Sequence, residues 1–364
     1  VFRLIRYLLR QLAPWLCIAV AGAVLLFLTT QLVRVVPVFV GAGASPVELV
    51  SALGLLLVPV LGWSLTPAFV LAVFAVVGRM DAEGELTALD AAGIGRLRLA
   101  LAPLPAAIAL AALAGWIWLE AGPSSQAALR EMAGRLAGRA IAGQISAGRF
   151  VEPMPGVTIY ADRGEAGRYR GVMIEDTRDD SRSTRLVARE AEVGYNPKTR
   201  RLELDLRDGT AFIRHGTGAA PLAMGFDQLR VAASAIDEIT ARLGFLPWLM
   251  SVPTSRLFAG PRADGVEEGE WGFALWRRVA GPCGFASLAL AATVLALGGR
   301  WRNRGLAVAA AGGLFLAYHL FCRLGESLAL AGAVEPVIAA LGPSALVASL
   351  SVAFGLSFPR ATRT

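Results

Sequence analysis

The sequence predicts a membrane α-helical protein of six transmembrane helices with one all-β domain inserted between the third and the fourth. Three observations predict it. The chain of 364 residues is 55% hydrophobic and 17% charged, with a mean hydropathy of +0.56, whereas soluble domains carry about 25% charged residues. The apolar residues fall into two blocks, separated by a polar, strand-forming run from Ser124 to Glu270. Arginines cluster beside every second apolar run, which fixes an orientation.

A spanning helix needs about 20 apolar residues to cross about 30 Å of hydrocarbon. Six segments meet this: Leu12–Val33, Leu49–Val77, Leu99–Leu119, Phe273–Leu297, Leu306–Leu324 and Val334–Leu356. The second holds Pro59 and Pro67, and each removes a helix hydrogen bond, so a kink or tilt is expected there. Three regions follow: helices one to three in 1–123, with a short cytoplasmic helix at about 81–92; the inserted domain with flanking helices in 124–270; and helices four to six in 271–364.

Arg3, Arg6 and Arg10 precede the first span, and Arg79, Arg96 and Arg98 follow the second. Arg300, Arg302 and Arg304 follow the fourth, and Arg360 and Arg363 follow the sixth. The opposite short loops offer only Arg34 and Arg323, at or inside span ends. The positive-inside rule then places both termini in the cytoplasm and the insert outside the inner membrane, in the periplasm of a bacterium. The first apolar run is too long for the h-region of a cleaved signal peptide. The net charge of +7, with Lys198 the only lysine among 35 basic residues, follows from this topology and does not call for nucleic acid. Cys17, Cys283 and Cys322 fall in or beside apolar spans, so no disulfide framework supports the insert; their expected role is packing.

The insert opens with a helix-compatible stretch, Ser124–Gln144, in which Leu129, Met132, Leu136 and Ile141 lie near one face. Short strands follow: Val157–Tyr160, a polar turn at Asp162–Glu165, then Tyr169–Glu175 and Thr184–Val193. Asn196-Pro197-Lys198-Thr199 reads as a turn. Leu202–Leu206 alternates as a half-buried strand does, and Asp208-Gly209 is a hairpin signal before Thr210–Ile213. Such spacing fits a sandwich, a barrel or a jelly roll. Ile236–Leu243 reads as a return helix, and Trp248–Gly269 as a loop leading to the fourth span.

Catalytic chemistry is hard to place. His215 and His319 fit no zinc spacing, and neither a G-x-S-x-G elbow nor a Walker A loop occurs. The chain is therefore not a P-loop ATPase by itself, and both histidines read as structural. The loop after the second span is more specific. It runs Gly84-Glu85-Leu86-Thr87-Ala88-Leu89-Asp90-Ala91-Ala92-Gly93-Ile94, with acidic residues at its start and glycine past its end, the signature of a short capped helix. Leu86 and Leu89 share a face. It reads either as a linker helix at the headgroups or as a coupling helix seated in a groove of a cytoplasmic partner.

This loop, with Arg6-Tyr7-Leu8, Leu32-Val33-Arg34 and Ala121-Gly122-Pro123, resembles the LptF/LptG family of lipopolysaccharide-export ABC transporter permeases across essentially the whole chain. Leu32-Val33-Arg34 and the stretch from Gly148-Arg149-Phe150 to Ile159-Tyr160 resemble the LptF branch more closely. Gly84 and Gly95 stand where the family usually has serine. The resemblance implies a non-catalytic permease with an inserted periplasmic jelly-roll-like domain. It implies that the chain pairs with a second, LptG-type permease above an LptB-type ATPase dimer, which alone uses ATP and Mg. Lipopolysaccharide would be extracted from the inner membrane and passed to an LptA-type periplasmic bridge, with an LptC-type single-span accessory subunit. An LptG-type or solo homodimeric permease of the same family is the alternative within the class. A membrane-anchored periplasmic lipid-binding module is the alternative outside it.

By the same resemblance, Glu85, Leu86 and Leu89 form the contact to the ATPase. Arg34, near the outer leaflet, either snorkels to the headgroups or faces a cavity and binds lipid phosphate, for which arginine is suited. Arg323 and Glu326 at the end of span five are spaced to pair, and ionisable residues at membrane depth merit a functional hypothesis. The family's gate helices would put Arg323 on the lipid path. Ala309 to Gly313 permit close helix approach.

Overall fold

The computed structural model describes residues 2–41, 43–144, 148–154, 156–165, 167–179, 182–196, 201–215, 222–233, 248–260, 268–298 and 304–356. The expected turn at Pro197–Thr199 with Lys198, the return helix Ile236–Leu243, and Arg300, Arg302, Arg360 and Arg363 lie outside them. The chain divides into two compact units. One comprises Val1–Gln31, Gly54–Gln126 and Leu249–Thr364; the other comprises Leu32–Leu53 and Ala127–Trp248.

The first unit is helical. Its helices, some of which run on into the second unit, are α1 (Phe2–Gly41), α2 (Pro46–Ala82), α3 (Glu85–Ala91), α4 (Arg96–Ala100), α5 (Leu104–Trp116), α6 (Gly122–Gln144), α7 (Thr254–Phe258), α8 (Glu268–Gly298), α9 (Arg304–Leu330) and α10 (Pro336–Leu356). Among the described residues, six segments are long and apolar enough to cross a membrane. α2 continues through Pro59 and Pro67, which lie inside it.

The third span differs from its expected bounds of Leu99–Leu119. Pro103 caps the start of α5, as fits a residue without an N–H to leave unsatisfied. The helix then passes through a π-helical turn, Ile117–Ala121, into α6. The Gly122 N–H reaches the Ile117 carbonyl, and a Cβ at 122 would stand 2.7 Å from that oxygen. The helix expected at Ser124–Gln144 thus follows the span directly through this turn.

α2 and α8 form the heart of this unit. Two thirds of the apolar window of α2 (67%) and over half of that of α8 (56%) are buried, against none of α1 (0%) and little of α9 (11%). Phe69, Phe74, Met80, Phe285 and Leu288 lie in one cluster with Leu8, Leu12 and Leu86. In lipid the hydrophobic effect does not join helices; close fit does. Glycines allow that fit. A Cβ at Gly281 would meet the Trp118 ring at 2.6 Å, and one at Gly62 would meet Ile117 at 2.8 Å.

In the second unit, Ser45-Pro46-Val47-Glu48 closes a capping box on α2: the Ser45 N–H donates to Glu48 Oε2 at 2.9 Å, and the Glu48 N–H donates to Ser45 Oγ at 3.3 Å. Six antiparallel strands form one sheet in sequence order: β1 (Phe150–Met154), β2 (Val157–Glu165), β3 (Arg168–Asp179), β4 (Arg182–Asn196), β5 (Arg201–His215) and β6 (Leu222–Ala233). The expected β domain is present, and every pairing among the described strands joins sequence neighbours.

Two turn signals prove to lie inside strands. Asp162–Glu165 belongs to β2, and the reversal falls between Glu165 and Arg168, which pair. Asp208-Gly209 sits in the middle of β5; Arg207 pairs with Glu190 and Gly209 with Ala188 on either side of it. Asp208 takes the left-handed conformation (φ 51°) that suits a hairpin, but here it creases a strand. The crease runs on into β4 and β3. Arg170 pairs with Glu190 and Val172 with Ala188, which sets Gly171 (φ 62°) opposite Arg189, itself opposite Asp208.

Across this line the inward-facing set slips by one residue: Tyr169 then Val172, Leu186 and Ala188 then Ala191, Leu204 and Leu206 then Ala211. Both halves still feed one apolar cluster. Gly209 is required at the crease, because a Cβ there would meet the Phe226 ring at 2.4 Å. Burial pushes the Tyr169 phenol above its ordinary value, with a backbone hydrogen bond at Gly167 opposing it.

Candidate functional site

Two polar constellations stand out in the helical unit. The first surrounds α3. This helix has seven residues and a left-handed Gly84 as its cap, with no side-chain cap hydrogen bond. So short a helix is not stable alone, and tertiary contacts must hold it. Leu86 is buried in the cluster that contains Leu8, Met80 and Leu99, with Leu89 packed against it. The expected contact face is therefore turned mostly towards the chain's own spans, while Thr87, Ala88, Asp90 and Ala91 are exposed. Glu85 accepts from the Tyr7 hydroxyl, which lies 3.0 Å from each carboxylate oxygen. Arg79 pairs with Glu83 at 2.7 Å, stands 3.8 Å from Glu85 and donates to Gln11. At the other end of α3, Arg96 lies 3.5 Å from Asp90 and donates to the Leu297 carbonyl at 2.8 Å.

The second constellation lies between the spans. A cavity of about 110 Å³ is walled by α2, the π-helical turn, α8, α9 and α10, with Trp63, Trp118, Arg277, His319, Arg323 and Glu326 among its lining residues. Glu326 accepts from Arg277 at 2.6 Å and from Arg323 at 2.9 Å. The Arg277 side chain is 14% exposed and that of Arg323 is 57% exposed, so the carboxylate neutralises the buried cation and leaves Arg323 with charge to spare. Arg277 also lies 5.8 Å from the centre of the Trp63 ring. His319 stacks on Phe315, and Tyr318 shares a 3.0 Å hydrogen bond with Ser344 of α10.

Arg278, beside Arg277, does a different job. It is 1% exposed and donates to the carbonyls of Leu249 (2.9 Å), Met250 (3.1 Å) and Val252 (2.6 Å) and to Thr254 Oγ1 (2.7 Å). Thr254 in turn donates to the Leu119 carbonyl, and the Trp271 indole donates to the Leu257 carbonyl at 2.9 Å. One arginine thus binds the segment before α8, and through Thr254 the π-helical turn, to the start of the fourth span.

The structure places Glu85, Leu86 and Leu89 together at α3, and Arg323 in the interior cavity. The Arg34 side chain lies outside the described residues, although its backbone belongs to α1. Sequence reasoning found the Arg323–Glu326 pair, took His319 as structural, and missed Arg277, Arg278 and the two tryptophans. The available signal was an Arg-Arg pair inside an apolar span, which marks a paired or functional site.

A chain of six membrane helices, with a sheet inserted and charged groups held between the spans, is a multi-pass membrane protein of the permease type. The family model described as lipopolysaccharide export system permease LptF/LptG matches residues 6–356. The chain belongs to that family, and its general role is that of a lipopolysaccharide-export permease of the inner membrane. No curated protein gives a significant match.

Proposed function

We propose that the chain is one permease half of an ATP-driven lipopolysaccharide extractor, of the LptF type. It would pair with an LptG-type permease above an LptB-type ATPase dimer that supplies ATP and Mg chemistry, with an LptC-type accessory subunit and an LptA-type bridge. Both termini and α3 face the cytoplasm, and the sheet faces the periplasm. Glu85 offers a carboxylate to an ATPase arginine while Leu86 and Leu89 seat the helix. Arg323 would meet lipid phosphates at the cavity, and Arg34 of α1 is assigned the same role. The chain performs no covalent step; its work is a difference in lipid affinity between two conformations.

The observation that supports this best is the family match, which runs through α3 and both flanking span pairs. Co-purification after co-expression with the ATPase and the second permease tests it. The wild type should retain the ATPase, and Glu85→Arg should lose it while still inserting. A wild type that holds no ATPase in mild detergent overturns the reading.

A further inference from the structure

We propose that α3 is a two-ended strut, in which Tyr7 and Arg96 are positioning residues that pass its movement to the first and the fourth spans. The proposal rests on the reading of α3 as the ATPase-facing helix.

At one end, the Tyr7 hydroxyl is centred on both oxygens of Glu85. A carboxylate has about four lone-pair sites, so one tyrosine leaves room for an arginine from a partner. The Glu85 side chain is 29% exposed, which keeps that second approach open. Glu85 therefore sits between the first span and the outside, able to bind both together. Arg79 backs this arrangement by joining Gln11 of α1 to the end of α2 and by placing positive charge 3.8 Å from the carboxylate.

At the other end, Arg96 holds Asp90 of α3 and the carbonyl of Leu297. Leu297 is next to last in α8, where carbonyls lack partners within the helix and a cation is favoured. The two ends reach helices of opposite character: α1, with none of its apolar window buried, and α8, with over half buried. A push on α3 therefore reaches, through Tyr7, a span packed at Leu8 and Leu12 but unburied over its apolar window, and, through Arg96, a span more than half buried. Neither end depends on the packing of Leu86, which anchors the middle of the helix.

The test uses the full chain, co-expressed with the ATPase and the second permease in lipid vesicles. Tyr7→Phe deletes one hydroxyl and keeps the ring, and Arg96→Gln removes the charge. Both variants should retain the ATPase on purification, whereas lipid released per ATP hydrolysed should fall about fivefold, the scale of one hydrogen bond to a charged group at a part-exposed site. Unchanged release per ATP in Tyr7→Phe overturns the strut. So does loss of the ATPase in Tyr7→Phe, since the hydroxyl would then belong to the partner contact. Heat unfolding of the purified chain gives a readout independent of any ATPase. Tyr7→Phe and Glu85→Gln should lower the midpoint by less together than the sum of their separate shifts, and additive shifts overturn the bridge. Coupled shifts in a wild type that binds no ATPase support the bridge and overturn the ATPase reading alone.

Discussion

Two carboxylates organise the polar chemistry of the helical unit, and their surroundings are opposite. Glu85 stands at the rim, part exposed, with a tyrosine hydroxyl as its closest partner and an arginine at 3.8 Å. Glu326 stands between spans with two arginines in direct contact, one of them largely buried. At the rim, water can replace a lost partner, so opening this bridge costs little. Between the spans, removing the carboxylate strands a cation, so the pair is a fixed frame. Motion is therefore expected at the α3 end, and a preset charge pattern at the cavity. Arg278 extends the frame without a carboxylate at all, using backbone carbonyls of the segment before α8.

The strongest way to break this contrast is at Arg278. Arg278→Met removes the donor to the buried Val252 carbonyl and to the part-buried Met250 carbonyl, while the Leu249 carbonyl keeps the Val252 N–H; it should cost about 3–5 kcal/mol, seen as a large fall in the heat-unfolding midpoint in detergent. A change no greater than that of a surface variant would remove Arg278 from the frame. Glu326→Gln comes next. It leaves Arg277 buried without a counter-charge and should cost about 2–3 kcal/mol, while Glu85→Gln at the rim should cost under about 1 kcal/mol; equal costs would erase the distinction. Gly281→Ala sharpens it by packing alone, since the new methyl meets Trp118 at 2.6 Å, for about 1–2 kcal/mol. The smallest effect belongs to the sheet. Glu192→Ala loses an exposed pair with Arg168 at 3.2 Å and should cost less than about 0.5 kcal/mol, leaving the midpoint nearly unchanged.

What the sequence made legible follows from how far each signal reaches. Six apolar runs announced six spans, because lipid demands length and polarity that no other structure needs. The short helix after the second span was legible from its acidic start and from Gly93, whose signals are local, although it begins at Glu85 and not at about 81, because α2 runs on to Ala82. The strands were legible where alternation was clean, as in Leu202–Leu206. β1, with Pro153 inside it, and β6, with no clear alternation, were not.

Asp208-Gly209 misled for a physical reason: the left-handed backbone it favours serves a crease as well as a hairpin, and only the neighbouring strands decide between them. The cavity was illegible for the same cause. Arg277 and Glu326 are 49 residues apart and meet only when α8 packs on α9. The spacing of Arg323 and Glu326 showed the local half of that triad and nothing of the third member. Leu86 and Leu89 likewise showed that α3 has an apolar face, while the burial of Leu86 shows that this face is turned to the chain's own core.

Photo-crosslinking in the working complex tests whether lipopolysaccharide passes by the Arg323 side of the cavity, as proposed. A photoreactive residue replaces Arg323, with the outward-facing Leu350 of α10 as the control for bulk lipid. A lipopolysaccharide adduct at 323 should exceed the one at 350 and decline once ATP is supplied. An adduct no stronger at 323 than at 350, or one indifferent to ATP, would contradict it.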